Sequence, residues 1–265
     1  MKSIKIIFKY ILGLLLTISI FFVFILLLAK LTVLNENYIY KTMDKIDYYN
    51  KVNETIKTKL IQNNMSSGFD DEILDDIYTI NNIKKDVKST INSLYTNKEL
   101  KIDTNEIKNK LTINVDNYIK ENKIKISDKK ALDEHINILV KVYTDEITYY
   151  SYLNGYVDKM VKINKYANIS LIIMVCLTIL LLVLLLFIIK QNILPACLMA
   201  VGLFMIFMYY HTLINIDYQT ITIISTNFSI LIRNIGKNLM NIYTISSYIF
   251  IGLGLLLGII KKIKE

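Results

Sequence analysis

Four stretches without a single charge constrain this chain most. Residues 10–29, 166–189, 191–216 and 238–260 contain no Asp, Glu, Lys or Arg. Each is long enough for a helix to cross a hydrocarbon core, which takes about 20 residues. One anchor alone would not raise the hydrophobic share to 53% and the mean hydropathy to +0.39, whereas several spans do. That composition excludes an ordinary soluble domain and a disordered chain. One Pro and eight Gly leave no linker or low-complexity tract. An abundance of Ile, Lys, Asn and Tyr, with no Trp and one Arg, points to an AT-rich, low-GC Gram-positive bacterium.

The net charge of +8 invites a nucleic-acid reading until the charges are located. Between Asn35 and Lys165 there are 21 Lys and 21 Asp or Glu, so this long segment is balanced. The other ten basic residues flank the apolar stretches, against only Asp217 and Glu265. Phosphate recognition needs clustered charge on a folded domain, so no nucleic-acid partner is expected. Both cysteines, Cys176 and Cys197, fall inside apolar stretches and are expected to be small apolar fillers.

Lys2, Lys5 and Lys9 precede the first stretch, Lys190 separates the second and third, and Lys261, Lys262 and Lys264 follow the last. Positive residues favour the cytoplasmic side, and four crossings put all three groups there together. The first stretch, with no small-x-small site after it, is expected to be an uncleaved signal anchor. The predicted organisation is a cytoplasmic start at 1–9, spans at 10–31, 166–189, 193–215 and 243–260, and an extracytoplasmic domain at 35–165. An amphipathic outer segment is predicted at 216–242 and a cytoplasmic tail at 261–265. Residues 218–232, between Asp217 and Arg233, are also uncharged, which leaves a short fifth crossing or a strand over 220–225 as alternatives.

The fold class expected is mainly α: four transmembrane helices and a helical extracytoplasmic domain between the first two. In 35–165 the apolar residues recur at helical spacing. Asn35 or Asn37 caps a helix carrying Tyr38, Met43, Tyr49, Val52, Ile56 and Leu60, which continues the first span outward and is broken by Ser66, Ser67 and Gly68. Residues 70–77 form a short acidic helix. Thr79 caps a helix with Ile83, Val87 and Ile91 on one face, and Asp103 or Thr104 opens another with Ile107, Leu111 and Val115. Ser127 caps a long helix carrying Ile136, Leu139, Tyr143 and Ile147 that runs into the second span, with Gly155 as a candidate kink. Segments 100–103 and 124–127 alternate apolar and polar residues, and fit a minor two-stranded pair or two extended linkers equally well.

No catalytic, metal or cofactor constellation stands out. His135 lacks companions at ligand spacing, and His211 ends the third span beside Tyr209 and Tyr210 as part of an interfacial belt. Asp70, Asp71, Glu72, Asp75 and Asp76 are the densest acidic cluster, but lack the central Gly and terminal Glu of an EF-hand. Tyrosines gather toward the two ends of the charged segment. Tyr48, Tyr49, Tyr149, Tyr150 and Tyr152 are candidates for a surface that takes a peptide or glycan, or for an aromatic zone that packs the helices together. Gly252, Gly254 and Gly258 suit close helix packing, internal or between copies. The spans hold no ionisable carboxylate, lysine or arginine, which argues against an ion-coupled carrier.

The stretch Leu34-Asn35-Glu36-Asn37-Tyr38, with Tyr48-Tyr49 and Ile73-Leu74-Asp75-Asp76 following, resembles membrane proteins of clostridia and their relatives that have no assigned activity. These share a first-span anchor, a helical outer domain and three later spans. The resemblance covers nearly the whole chain and implies an architecture without catalytic residues. In bare topology the chain is also similar to FtsX-like permease subunits driven by a separate ATPase, although their long cytoplasmic N-terminal region is not matched here. The function expected is therefore that of a non-enzymatic envelope scaffold, binding or sensory component. Its expected surroundings are membrane lipid, a membrane or envelope protein partner or further copies of itself, and no cofactor. A permease subunit and a membrane-embedded enzyme are the alternatives.

Overall fold

The computed structural model describes residues 2–96, 98, 100, 102–126, 128–148, 154–188, 193–215 and 225–264. Every regular element among them is helical. The order is α1 (Lys2–Leu31), α2 (Glu36–Lys45), α3 (Tyr48–Asn64), a 3-10 turn (Asp71–Leu74), α4 (Ile80–Thr96), α5 (Asn105–Glu121) and α6 (Lys129–Ile147). Then come α7 (Asn154–Val183), which runs on into a π-turn (Leu184–Ile188), α8 (Leu194–Asn215) and α9 (Thr226–Lys264). Among the described residues four segments are long and apolar enough to cross a membrane: Ile6–Leu31, Lys159–Phe187, Leu194–Thr212 and Thr226–Ile263. The chain divides into an apolar unit, Met1–Ile39 with Lys162–Glu265, and a charged unit, Tyr40–Val161.

In the charged unit, α3 to α6 alternate in direction as an up-down-up-down bundle. Asn64 of α3 meets His135 of α6, and Lys59 meets Glu146, so these two helices are antiparallel. Lys84 of α4 lies over the Tyr49 ring while Tyr78, just before α4, shares a cleft with Lys57, which runs α4 back along α3. Tyr118, near the end of α5, packs on Phe69 at the same end as His135. The core is the set of stripes visible in the sequence: Val52, Ile56 and Leu60; Ile83, Val87 and Ile91; Ile107, Leu111 and Val115; Ile136, Leu139, Tyr143 and Ile147. Burying each such aliphatic side chain contributes about 1.5–3 kcal/mol.

The helix ends depart from expectation in four places, each with a local cause. The helix expected over 38–60 is two. Asp47 takes a left-handed conformation (φ 55°), which a short acidic side chain tolerates, and its carboxylate accepts from the Asn50 amide at 2.6 Å. Nor is α1 continuous with it: the Leu34 amide closes onto the Ala29 carbonyl at 2.9 Å, and Asn35 opens α2 by accepting from the Asn37 amide at 3.0 Å. The acidic stretch after Asp70 makes only a 3-10 turn, since Asp70 caps it and Asp76 is left-handed (φ 54°). Asp128 caps α6, accepting from the Lys130 and Ala131 amides at 2.8 and 3.1 Å, while Ser127 lies outside the described residues. α6 ends at Ile147, and the proposed continuation toward α7 falls outside the described residues too. Thr79 does cap α4: its amide donates to Asn82 and its hydroxyl accepts from the Asn82 amide. The segments 100–103 and 124–127 form no strand at their described residues.

In the apolar unit, α1 and α8 run the same way, with Gly13 beside Ile193 and Cys197 and Phe21 edge-on to Phe204 at 5.0 Å. α7 opposes α1, joined by a 2.6 Å bond between the Ser19 and Thr178 hydroxyls and a further bond from Lys30 to Asn168. α9 opposes α8 at very close range. A Cβ on Gly202 would stand 2.6 Å from the Ser247 carbonyl oxygen, and one on Gly254 2.7 Å from that of Pro195. Of the three glycines singled out in the last span, Gly254 makes the contact, whereas a Cβ at Gly252 would meet open space. The outer segment expected at 216–242 and the last span expected at 243–260 share one continuous helix over their described residues. α9 is one helix of 39 residues, or about 58 Å at 1.5 Å per residue, roughly twice the hydrocarbon thickness. Its first turns carry Asn227, Arg233, Asn234 and Lys237 beside buried Phe228, Leu231 and Ile235. Residues 216–224, where a strand was the alternative, lie outside the described residues.

Candidate functional site

Tyr48 and Tyr49 are buried. After the reversal at Asp47 both rings turn into the fold. They pack edge to face at 6.1 Å, and the Tyr49 hydroxyl donates to the Met43 sulfur at 3.7 Å. Burial holds the Tyr49 phenol well above its ordinary pKa, helped by the neighbouring Asp44 carboxylate. These two rings pack between helices, the use that the aromatic-zone alternative gave them. Tyr149, Tyr150 and Tyr152 lie outside the described residues. Beside Tyr49, α4 lays two lysines on tyrosine faces: Lys84 5.1 Å from the Tyr49 centroid and Lys88 5.2 Å from that of Tyr40. The Lys84 ammonium also pairs with Asp44 at 2.9 Å, and the Tyr40 hydroxyl donates to the Lys88 carbonyl at 3.1 Å. This array fastens α2 to α4.

Two polar clusters lie inside the bundle. In the first, the Tyr143 hydroxyl donates to the Asp86 carboxylate at 2.7 Å, and Tyr78 packs on the Tyr143 ring at 5.2 Å. Burial raises the pKa of Asp86 despite the bond from Tyr143, and raises those of Tyr143 and Tyr78 as well. A neutral phenol bonded to a part-buried carboxylate ties α4 to α6; no nucleophile stands beside it among the described residues. The second cluster centres on Asn64, which is fully buried. Its amide nitrogen points to the Phe69 and Asp70 carbonyls and the Asp71 carboxylate at 3.2–3.3 Å. Its oxygen accepts from the Ser67 hydroxyl at 2.9 Å and faces the His135 Nε2 at 3.3 Å. One side chain thus holds the whole turn after α3 and links it to α6. The sequence reading took this region only as a helix break. The run Asn64, Ser66, Ser67, Gly68 carried the signal, since such residues bond to nearby backbone. His135, expected on an exposed face, is part-buried against Phe69, and burial lowers its pKa.

Two clefts open on the charged unit. One, of about 450 Å³, lies between α3 and the 3-10 turn, with Lys57 on one side and Asp71, Asp75 and Asp76 on the other. A second, of about 360 Å³, lies at the end of the bundle between Ser66, Phe69, Lys125, Ile126, Leu132 and His135. No group of three or more His, Cys, Asp or Glu side chains among the described residues is placed to hold a metal ion. His211 tilts over Phe207 at 6.4 Å at the end of α8. Comparison with known proteins finds no matching family model, no matching curated protein and no matching solved structure.

Proposed function

We propose that the chain is a non-enzymatic envelope protein of a bacterium, anchored by four spans, whose charged unit faces outward and binds a protein or envelope component. On this reading the signal anchor is retained, both termini are cytoplasmic, and the membrane helices assemble with lipid and partner proteins. The likeness to clostridial four-span proteins belongs to the same proposal. The observation that carries it is the direction of the helices in the apolar unit. Because α1 and α8 are parallel and α9 opposes them, Lys9 at the start of α1 and Lys261 and Lys262 at the end of α9 fall at one end. The chain leaves α1 toward the charged unit at the opposite end. Basic ends favour the cytoplasm, which supports an extracytoplasmic charged unit.

A phosphatase reporter fused after Lys120 tests the orientation, and activity outside the membrane is expected. A reporter active only in the cytosol reverses the assignment. Photo-crosslinking from Ile113 and Ile138, both exposed on the charged unit, tests the binding role in intact cells. Discrete adducts are expected there, and their absence at both positions would remove that role.

A further inference from the structure

We propose that the end of the apolar unit marked by Lys30, Lys165 and Lys237 binds an anionic phospholipid with a hydroxylated headgroup, its phosphate held between the Lys30 and Lys165 ammonium groups and a headgroup hydroxyl held by the Asn164 amide. This deepens the reading above, in which the helices assemble with lipid, and rests on the spans lying in a bilayer.

The three lysines are the charges that end three uncharged stretches, 10–29, 166–189 and 238–260. Helix contacts bring them to one level. Lys30 bonds to Asn168, three residues from Lys165. Phe24 packs on Tyr243 at 6.2 Å, and Lys30 and Lys237 each lie six residues beyond that contact toward the same end. At that level hydrocarbon gives way to headgroups, and Tyr166 stands exposed beside it. Among the described residues of the apolar unit the one acid is Glu36. A single carboxylate does not balance Lys30, Lys162, Lys165, Arg233 and Lys237, and anionic headgroups are the charges a membrane supplies there.

Two of these cations converge. Lys165 and Asn168 are neighbours on one face of α7, so the ammonium that reaches Asn168 from α1 arrives beside the Lys165 side chain. An ammonium has three donors, and Asn168 takes one from Lys30. Lys165 is exposed and makes no hydrogen bond or ion pair among the described residues. A phosphate between the two accepts from both and relieves their repulsion. One turn earlier on the same face, the Asn164 side-chain oxygen is buried and has no hydrogen-bond partner. An acceptor shut away from water and left empty is unfavourable. The residue as a whole is part-buried, so a side-chain rotation brings the oxygen to the rim. It needs a donor, which a glycerol headgroup supplies through its hydroxyls. Ile172, one turn after Asn168, and Leu27, one turn before Lys30, are exposed and give an acyl tail an apolar path. A soluble phosphate would leave that path uncovered, and a lysine that merely reaches water from a span end needs none of this set.

The full chain in dodecyl maltoside, titrated with phosphatidylglycerol and followed by native mass spectrometry, tests this. A discrete adduct is expected that phosphatidylcholine does not form. Lys30→Gln and Lys165→Gln should each weaken it about tenfold. Lys9→Gln with Lys262→Gln, at the opposite end, should leave it unchanged. Asn164→Leu should lower the ratio of phosphatidylglycerol to phosphatidic acid binding, since the second lipid has the phosphate without the glycerol. Equal binding of phosphatidylcholine, indifference to Lys165→Gln, or an equal loss in the Lys9 and Lys262 variant overturns the proposal. An unchanged ratio in Asn164→Leu overturns the headgroup assignment. Displacement of the adduct by an equal concentration of free glycerol 3-phosphate assigns the site to a soluble phosphate and overturns the lipid reading. Thermal unfolding shows whether a loss is local, and Lys165→Gln, lying on the surface, remains decisive where Lys30→Gln unfolds. The orientation reporter can fail while this purified measurement succeeds, and the reverse, so the two readings fall separately.

Discussion

Leu139 in the charged unit and Leu256 in the apolar unit are the same residue in the same kind of element, yet one is fully buried and the other 59% exposed. In the charged unit the helices carry a buried apolar stripe and mostly polar residues elsewhere, because water is the solvent and sorts side chains by face. In the apolar unit Leu255, Leu256, Ile259 and Ile260 are all exposed, whereas Val201 and Met205, no more apolar, are buried. Lipid tails are as apolar as leucine, so hydrophobicity does not decide which face meets a neighbour; small residues and close backbone approach do.

The largest test of that contrast is truncation. Leu139→Ala, in the bundle core, should cost about 2–5 kcal/mol, the range for emptying a packed aliphatic site. Leu256→Ala should change stability by less than about 0.5 kcal/mol, since its side chain contacts no packed protein interior. Urea unfolding in micelles, followed by circular dichroism, measures both. Equal costs would show that the apolar unit packs in a way its exposures do not reflect.

Next in size is the glycine contact. Gly202→Leu and Gly254→Leu would each drive a side chain into a carbonyl oxygen less than 3 Å away, and α8 and α9 would have to separate. A cost of about 1–3 kcal/mol is expected for such overpacking, with a drop in the melting temperature of the purified chain. Gly252→Ala, pointing into open space, should leave that temperature unchanged. If all three behave alike, the helix pair is not held by backbone proximity.

These two cases mark what could be read in advance. The buried stripes were legible residue by residue, from Val52 to Ile147, because helical period and water leave a pattern. Four spans were legible from absent charge. Which glycine touches was not: Gly252 and Gly254 look alike in sequence, and two residues are about 200° around a helix. The break at Asp47 was hidden because an aspartate that bends the chain differs from a solvated one only in its φ angle. Which of its two readings Tyr48 and Tyr49 follow was hidden for a related reason. A ring as large as that of Tyr48 or Tyr49 serves a core as well as an interface, and only burial separates the two uses.

Comparable in size but more local is Asn64→Ala in the charged unit. It removes one amide and leaves the Phe69 and Asp70 carbonyls and His135 each short of a partner, while the Ser67 hydroxyl keeps its bond to the backbone carbonyl of residue 64. Stranding part-buried groups costs about 1–3 kcal/mol. The loss should be local, with faster hydrogen exchange over 65–71 and little change in α4 or α5. Uniform acceleration across the bundle would mean that the turn is part of the global core rather than a separately held cap.

The smallest effect is a pH dependence that only the charged unit should show. Burial lowers the His135 pKa, so the folded state takes up this proton less readily than the unfolded one. The usual histidine pKa is about 6.5. Above it neither state is protonated and the contribution is constant. As pH falls through about 6.5 the unfolded state gains a proton first, and stability declines until the folded value is passed. The groups around the ring are Asn64 and Phe69 on the turn, Lys125 and Asp128 on the cleft, and Tyr118 through Phe69. Asp86, which burial also raises, is retained in a His135 variant, so the difference between the two chains isolates this proton. Hydrogen exchange over 65–71, corrected for intrinsic rates, should accelerate more steeply in the native chain than in His135→Gln as pH falls through about 6.5. His211 is retained in both, so an equal slope in the variant would place the titrating group elsewhere.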